Sequence, residues 1–149
     1  MATQRNNPYG AFNFLVSLGT GDESSVIAGF SDVSGIGTEI NFSEYRNGND
    51  VVNTVRKIAN TFKQEDVTLK RGLIGSIDLY QWVKDVREGG DGRRSVTITV
   101  LDEARNPVAA FKLANAQPKK WVGPTLAAKG GGEVAMEELH LVHEGVSYE

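Results

Sequence analysis

The stretch VTLKRGLIGSIDLYQWV, residues 67–83, sets Lys70 and Arg71 beside a Gly72-x-x-Gly75-Ser76 turn that runs into a helical pattern. Free backbone N–H groups at a helix start attract anions, and two adjacent cations strengthen that field, so a phosphate site is one reading. A nucleotide-binding loop would need Gly-x-x-x-x-Gly-Lys-Ser/Thr, which this stretch lacks. The other reading is structural: the glycines free the backbone for a strand-to-helix turn, Ser76 caps the helix, and the two cations stay solvated. The second reading is favoured, because patterns this short recur by chance; a small ligand- or anion-binding module is the alternative.

His140, His143 and Glu144 in HLVHE resemble a metal cluster. On a strand, residues three apart point to opposite faces, and a metal site also needs a third convergent ligand, so no metal is expected. Asp91, Arg93 and Arg94, and the Asp102-Glu103 pair, sit in turn-rich sequence and read as solvated hairpin ends. There is no Gly-x-Ser-x-Gly elbow and no Ser/His/Asp set. Neither catalysis nor a cofactor is expected.

The bulk properties point the same way. With 149 residues and 40% apolar content, the chain is expected to form one domain with one core. A net charge of −3 gives no overall positive field for nucleic acid. No cysteine is present, so stability must come from packing or assembly. No signal peptide or membrane span is read in the sequence, and a soluble chain made in the cytoplasm is expected.

Most of the chain alternates with a period of two, as strands with one buried face do. FNFLVSL, VIAGFSDVSG, TEINFSEYR, VTLKRG, SVTITVLDE, PVAAFKLANAQPKKW and EVAMEELHLVHEG are the strand segments, with turns at GTGDES and KGGGE. In the last segment Val134 and Met136 share one parity and Leu139 and Leu141 the other, which predicts a bulge near Glu137 and Glu138. The pattern predicts an antiparallel sandwich or barrel. One helix is predicted at about 76–88, with Ile77, Tyr80, Val83 and Val86 on its packed side. The connection at about 45–64 is too long for a hairpin loop. Val51, Val55, Ile58 and Phe62 fall at helical spacing while β-branched residues are dense, so a helix and an extended arm are both open. Such an apolar excursion from a small domain points to a partner surface.

Taken in order, NPYGAFNFLV, AGFSDVSGIGTEINFSEYRNGND, VTLKRGLIGSIDLYQWV and the long stretch from RRSVTITVLDEARNP to HLVHEG resemble the inner-tube proteins of contractile injection systems. That family takes in contractile phage tail tubes and tailocins and is akin in fold to the haemolysin-coregulated protein. The resemblance covers nearly the whole chain. It implies a mainly β fold, a small β-barrel of two packed antiparallel sheets with one flanking helix and a long inter-strand arm. It implies hexameric rings stacked into a tube that a contracting sheath drives through a target envelope. Its partners would be further copies of itself, sheath, baseplate and tube-terminating proteins, and DNA or protein cargo in the lumen. The particle would be a phage tail, a tailocin or a released injection particle. The arm residues Tyr45, Arg46, Asn49, Val51, Val52, Val55 and Ile58 would contact neighbouring subunits. Asn7, Pro8, Tyr9 and Phe12, with Lys119, Lys120 and Trp121, would be contacts between rings.

Overall fold

The computed structural model describes residues 2–19, 27–52, 54–130 and 133–149. Its first strands are β1 (Phe14–Ser17), β2 (Ile27–Ala28), β3 (Asp32–Ser34), β4 (Thr38–Tyr45), β5 (Arg56–Gln64) and β6 (Val67–Gly72). After the helix α1 (Asp78–Arg87) come β7 (Arg94–Leu101), β8 (Pro107–Val122), β9 (Met136–Val142) and β10 (Gly145–Tyr148). The GTGDES and KGGGE turns fall in part on residues 20–24 and 131–132, outside the described residues.

Period-two alternation decides which side chains enter the core. Val96 and Ile98 of β7 are buried while Ser95 is exposed and Thr97 and Thr99 are half-buried. Val67 and Leu69 of β6 and Leu139 and Leu141 of β9 are likewise buried in the same cluster. All strand pairs are antiparallel, and the 16-residue β8 joins two sheets. Its first half lies between β7 and β10, and its second half pairs with β9. Asn115, between the halves, takes a left-handed φ of 48°, a conformation that asparagine tolerates better than most residues. One sheet is thus β2-β1-β7-β8-β10 and the other β8-β9-β6-β3. The expected barrel is not closed, because β2 and β3 end the strand path without pairing with each other.

The bulge expected in β9 is absent. Met136 to Leu141 pair with Gly72 to Val67 without a register shift, and the irregularity lies in β8 between Pro118 and Lys120. The parity slip vanishes because Glu137, not Met136, lines up with Leu139 and Leu141 on the inner face. Its partner in register is Arg71, which lines up with Val67 and Leu69.

Helix α1 covers the core with Leu79 and Trp82, helped by the half-buried Val83 and Val86. The Trp82 indole N–H donates to the Gly92 carbonyl at 2.7 Å, which satisfies the one polar atom of a buried aromatic. Ile77 and Tyr80, expected on the packed side, are exposed. Ser76 is not the cap either. The first helical residue follows Ile77, and the Ser76 hydroxyl donates to the Asp78 carboxylate.

Candidate assembly surface

The segment from Thr38 to Gln64 settles as a two-stranded ribbon, β4 with β5, that pairs with neither sheet. The helical alternative for the arm is therefore overturned. A two-for-one slip brings Ala59 and Phe62, three apart, to one face, since Phe62 sits opposite Ile40 and Ala59 opposite Phe42, while Ile58, opposite Ser43, falls on the other. The ribbon begins earlier than residue 45, and every residue of β4 is exposed. On one face Ile40, Phe42, Ala59 and Phe62 form an apolar row, bounded at the outer end by the Glu44–Lys57 ion pair. Phe62 is 70% exposed. Cross-strand opposites such as Glu39 with Lys63 bring charges of opposite sign together, which holds register without a core.

The ribbon tip is a self-braced turn. Arg46 donates to the backbone oxygens of Asp50 and Val52, the Tyr45 hydroxyl bonds the Asn47 side chain, and Arg56 bridges to Asp50 at 3.7 Å. Asn49 is exposed and Val55 half-buried, Val51 and Val52 are 99% and 64% exposed, and Ile58 is exposed along β5. Polar and charged side chains thus fix the shape, leaving the apolar ones outward.

The root of the ribbon is held at three points. Gly35 has φ +84°, and a Cβ added there would fall on the Asp66 carbonyl oxygen. Lys119 bridges to Asp66 at 2.7 Å, and His143 Nε2 lies 3.0 Å from the Glu65 carbonyl oxygen. A cleft between the ribbon base and the end of β9 is lined by Phe62, Gln64 and His143 among others. Gln64 Oε1 and His143 Nδ1 are buried without a hydrogen-bond partner in the subunit.

The N-terminal segment is clamped to its own subunit. Arg5 makes a two-pronged bond to Glu103, donates to the carbonyls of Asn7 and Pro8, and lies over the Tyr9 ring, whose hydroxyl donates to Thr3. Hydrogen bonding from Arg5 draws the Glu103 carboxyl down to about 2. Phe12 stays exposed. Of the other residues expected between rings, Lys120 is exposed, while Trp121 packs edge-on against Tyr80 and donates to Glu137 at 3.1 Å.

The residues first considered for an anion turn out differently. Lys70 and Arg71 lie in β6, not in a turn, and Lys70 pairs with Glu138 at 3.4 Å. Arg71 is not solvated: it is 3% exposed and is ion-paired with Glu137, 2% exposed, and with Asp78. Parity with Val67 and Leu69 was the signal for this placement. A guanidinium held by two carboxylates cannot also serve an external anion, so the anion-binding alternative loses its central residue. Burial works against the charge on Arg71, but its hydrogen bonds to Asp78 and Glu137 outweigh burial and raise its pKa. Burial likewise opposes the Asp78 carboxylate, and the bonds from Arg71 and Ser76 more than offset it, lowering the pKa. A carboxylate whose folded pKa is depressed stabilises fully above its unfolded value, about 4, and loses that contribution as pH falls through the folded value. Wild type should therefore lose more thermal stability than Asp78→Asn between pH 5 and pH 3. Melting curves at the two pH values test this, and equal losses would remove Asp78 from the acid response.

His140 contacts Thr68 and Glu138, whereas His143 serves the ribbon root. Among the described residues no group of three or more His, Cys, Asp or Glu could hold a metal ion, and no helix is long and apolar enough to cross a membrane.

The fold has clear counterparts among solved structures. A chain of the PVC sheath-tube complex, an extracellular contractile injection system in its extended state, superposes with TM-score 0.82 at 23% identity, covering 95% of this chain and 91% of that one. A chain of the anti-feeding prophage baseplate, 6-fold symmetrised, gives 0.84 at 23% identity over 97% of both chains. Hcp1 from Flavobacterium johnsoniae is more distant, with TM-score 0.54 and 11% identity over 92% of this chain and 94% of that one. A search of curated protein sequences gave no match. The family of the T4-like virus tail tube protein gp19 matches residues 10–147, nearly the whole length, and the chain belongs to that family.

Proposed function

We propose that the chain is the building block of the inner tube of a contractile injection particle, with six copies closing a ring and rings stacking into a hollow conduit. Its role is structural rather than catalytic. The observation that carries this reading is the β4–β5 ribbon. An isolated two-stranded hairpin is marginal in water, and this one turns an apolar face outward. A neighbour covering that face supplies the missing core. The unpaired Gln64 and His143 atoms at its base fit the same account, since a buried polar atom without a partner costs about 1–3 kcal/mol.

Tyr45, Arg46, Asn49, Val51, Val52, Val55 and Ile58 then act as arm contacts, joined by Ile40, Phe42 and Phe62. The solved relatives come from a sheath-tube complex, a 6-fold symmetrised baseplate and a tube-terminating cap. Sheath, baseplate and cap proteins are accordingly the partners proposed here, in a particle assembled in the cytoplasm and released. Cargo passes along the lumen. Phe12 and Lys120, exposed on the subunit, are kept as contacts between rings.

Electron microscopy of concentrated purified chain should show rings of uniform diameter and short stacks. A strictly monomeric chain, even with sheath and baseplate proteins added, would overturn the tube reading. Phe42→Asp or Val51→Asp should abolish rings at concentrations where wild type assembles fully, with the monomer's melting temperature unchanged within about 2 °C, because neither side chain has a home in its own core.

A further inference from the structure

The apolar ribbon has an unpartnered counterpart at the other pole of the subunit. Where β6 ends, Leu73, Ile74 and Ile77 turn outward beside Tyr80, and Ile74 and Ile77 are 79% and 68% exposed. Leu73, Ile77, Tyr80 and Trp121 line one shallow groove there. The exposed Val134 borders it, because Leu73 is hydrogen-bonded to Ala135 and the Gly72 Cα faces Val134.

The two apolar surfaces lie at opposite ends of the same strands. The ribbon enters β6 at Val67, and the groove begins just past Gly72. Six residues of strand separate them by roughly 20 Å. Antiparallel β9 confirms the polarity, with Met136 at the groove end and His143, just past Val142, at the ribbon root. The ribbon itself is eight or nine residues long on each strand, pairs with neither sheet and keeps Ile40, Phe42 and Phe62 exposed. That face is therefore not seated on the groove of its own subunit.

We infer that the groove formed by Leu73, Ile77 and Tyr80 receives the Ile40–Phe42–Phe62 face of a second copy, in a head-to-tail contact that runs along the strand axis. A heterologous contact between opposite poles repeats from copy to copy, and it stacks openly wherever its rotation does not close a ring. The borders agree: Glu39, Glu44, Lys57 and Lys63 flank the ribbon row, while Glu133 precedes Val134 and Lys84 stands one helical turn after Tyr80 on α1, so each face offers both signs of charge to the other. This contact rests on the tube reading and names the acceptor that the arm requires.

The absence of native cysteine makes the test direct. Phe62→Cys and Ile77→Cys are introduced together in the full chain, assembled and oxidised, and run on a non-reducing gel. The double variant should give a ladder at multiples of 16.1 kDa, while each single variant gives at most a dimer. Rings or tubes of wild type together with a double-variant ladder no stronger than the singles would overturn the contact and leave the tube reading standing. Cross-linking of Ile77→Cys to added sheath protein instead would do the same and assign the groove to the sheath. A wild-type chain that forms no oligomer overturns the tube reading and this contact with it.

Discussion

Arg71→Ala is expected to destabilise the subunit by about 3–5 kcal/mol, because removing one member of a buried ion pair leaves its partner's charge uncompensated. The partner is Glu137, 2% exposed, which also accepts a hydrogen bond from the half-buried Trp121 indole. Asp78 is better placed, since it lies near the surface and keeps Ser76 and its own helix backbone as donors. The loss therefore falls on the β6–β9 pairing and not on α1. In a domain of this size it corresponds to a drop in melting temperature of roughly 10 °C. Replacing both charges, as Arg71→Met with Glu137→Leu, should recover most of the loss, because well-packed apolar residues of similar volume often match a buried ion pair. Thermal denaturation of the three proteins settles it. A single variant as stable as wild type would mean that water reaches Glu137, and a double variant no better than the single would mean that the pair is needed for packing and not for charge balance.

That pair also marks where the sequence stopped being legible. Alternation located the strands because each inward position was apolar, as at Val96 and Ile98 or Leu139 and Leu141. Arg71 and Glu137 break the hydrophobic pattern at inward positions on two strands, so one was read as solvated and the other as a slip in register. Each charge looks misplaced alone, and only their facing registers show that they cancel. The arm failed for another reason. Val51 and Val55 belong to the tip before β5 begins, and Ile58 and Phe62 are four apart, a spacing that suits strand and helix alike, while the two-for-one slip between Ala59 and Phe62 has no signature in one strand read by itself. For the helix, its existence and length could be read, but its packed side only in part: Val83 and Val86 do pack against the core. Leu79 and Trp82 form the buried stripe, and Ile77 and Tyr80 were mistaken for it because they are apolar and a groove needs apolar residues too. What a partner buries and what a core buries are the same chemistry, and a single chain's hydrophobicity cannot separate them.

Gly35→Ala is expected to abolish assembly while leaving the subunit folded. The left-handed backbone at Gly35 costs about 1–2 kcal/mol for a residue with a Cβ. The added carbon would also fall on the Asp66 carbonyl oxygen, a backbone atom that cannot rotate away. Either β3 or the β5–β6 connection must shift, and both lie at the take-off of the ribbon. Lys119 and His143 tie Asp66 and Glu65 to β8 and to the end of β9, so relief comes by swinging the ribbon and not by moving the sheet. The ribbon spans eight residues of β4, roughly 27 Å, and a tilt of ten degrees at its root displaces the tip by about 5 Å, more than an apolar contact tolerates. The monomer's melting temperature should fall by about 4–8 °C, and rings should vanish at concentrations where wild type is fully assembled. Gly29→Ala is the control, since it lies outside the ribbon and an added Cβ there meets nothing within 4 Å, and it should assemble like wild type. Sedimentation and electron microscopy of both variants read the result. Normal tubes from Gly35→Ala would mean that the neighbour, and not the root, sets the direction of the arm.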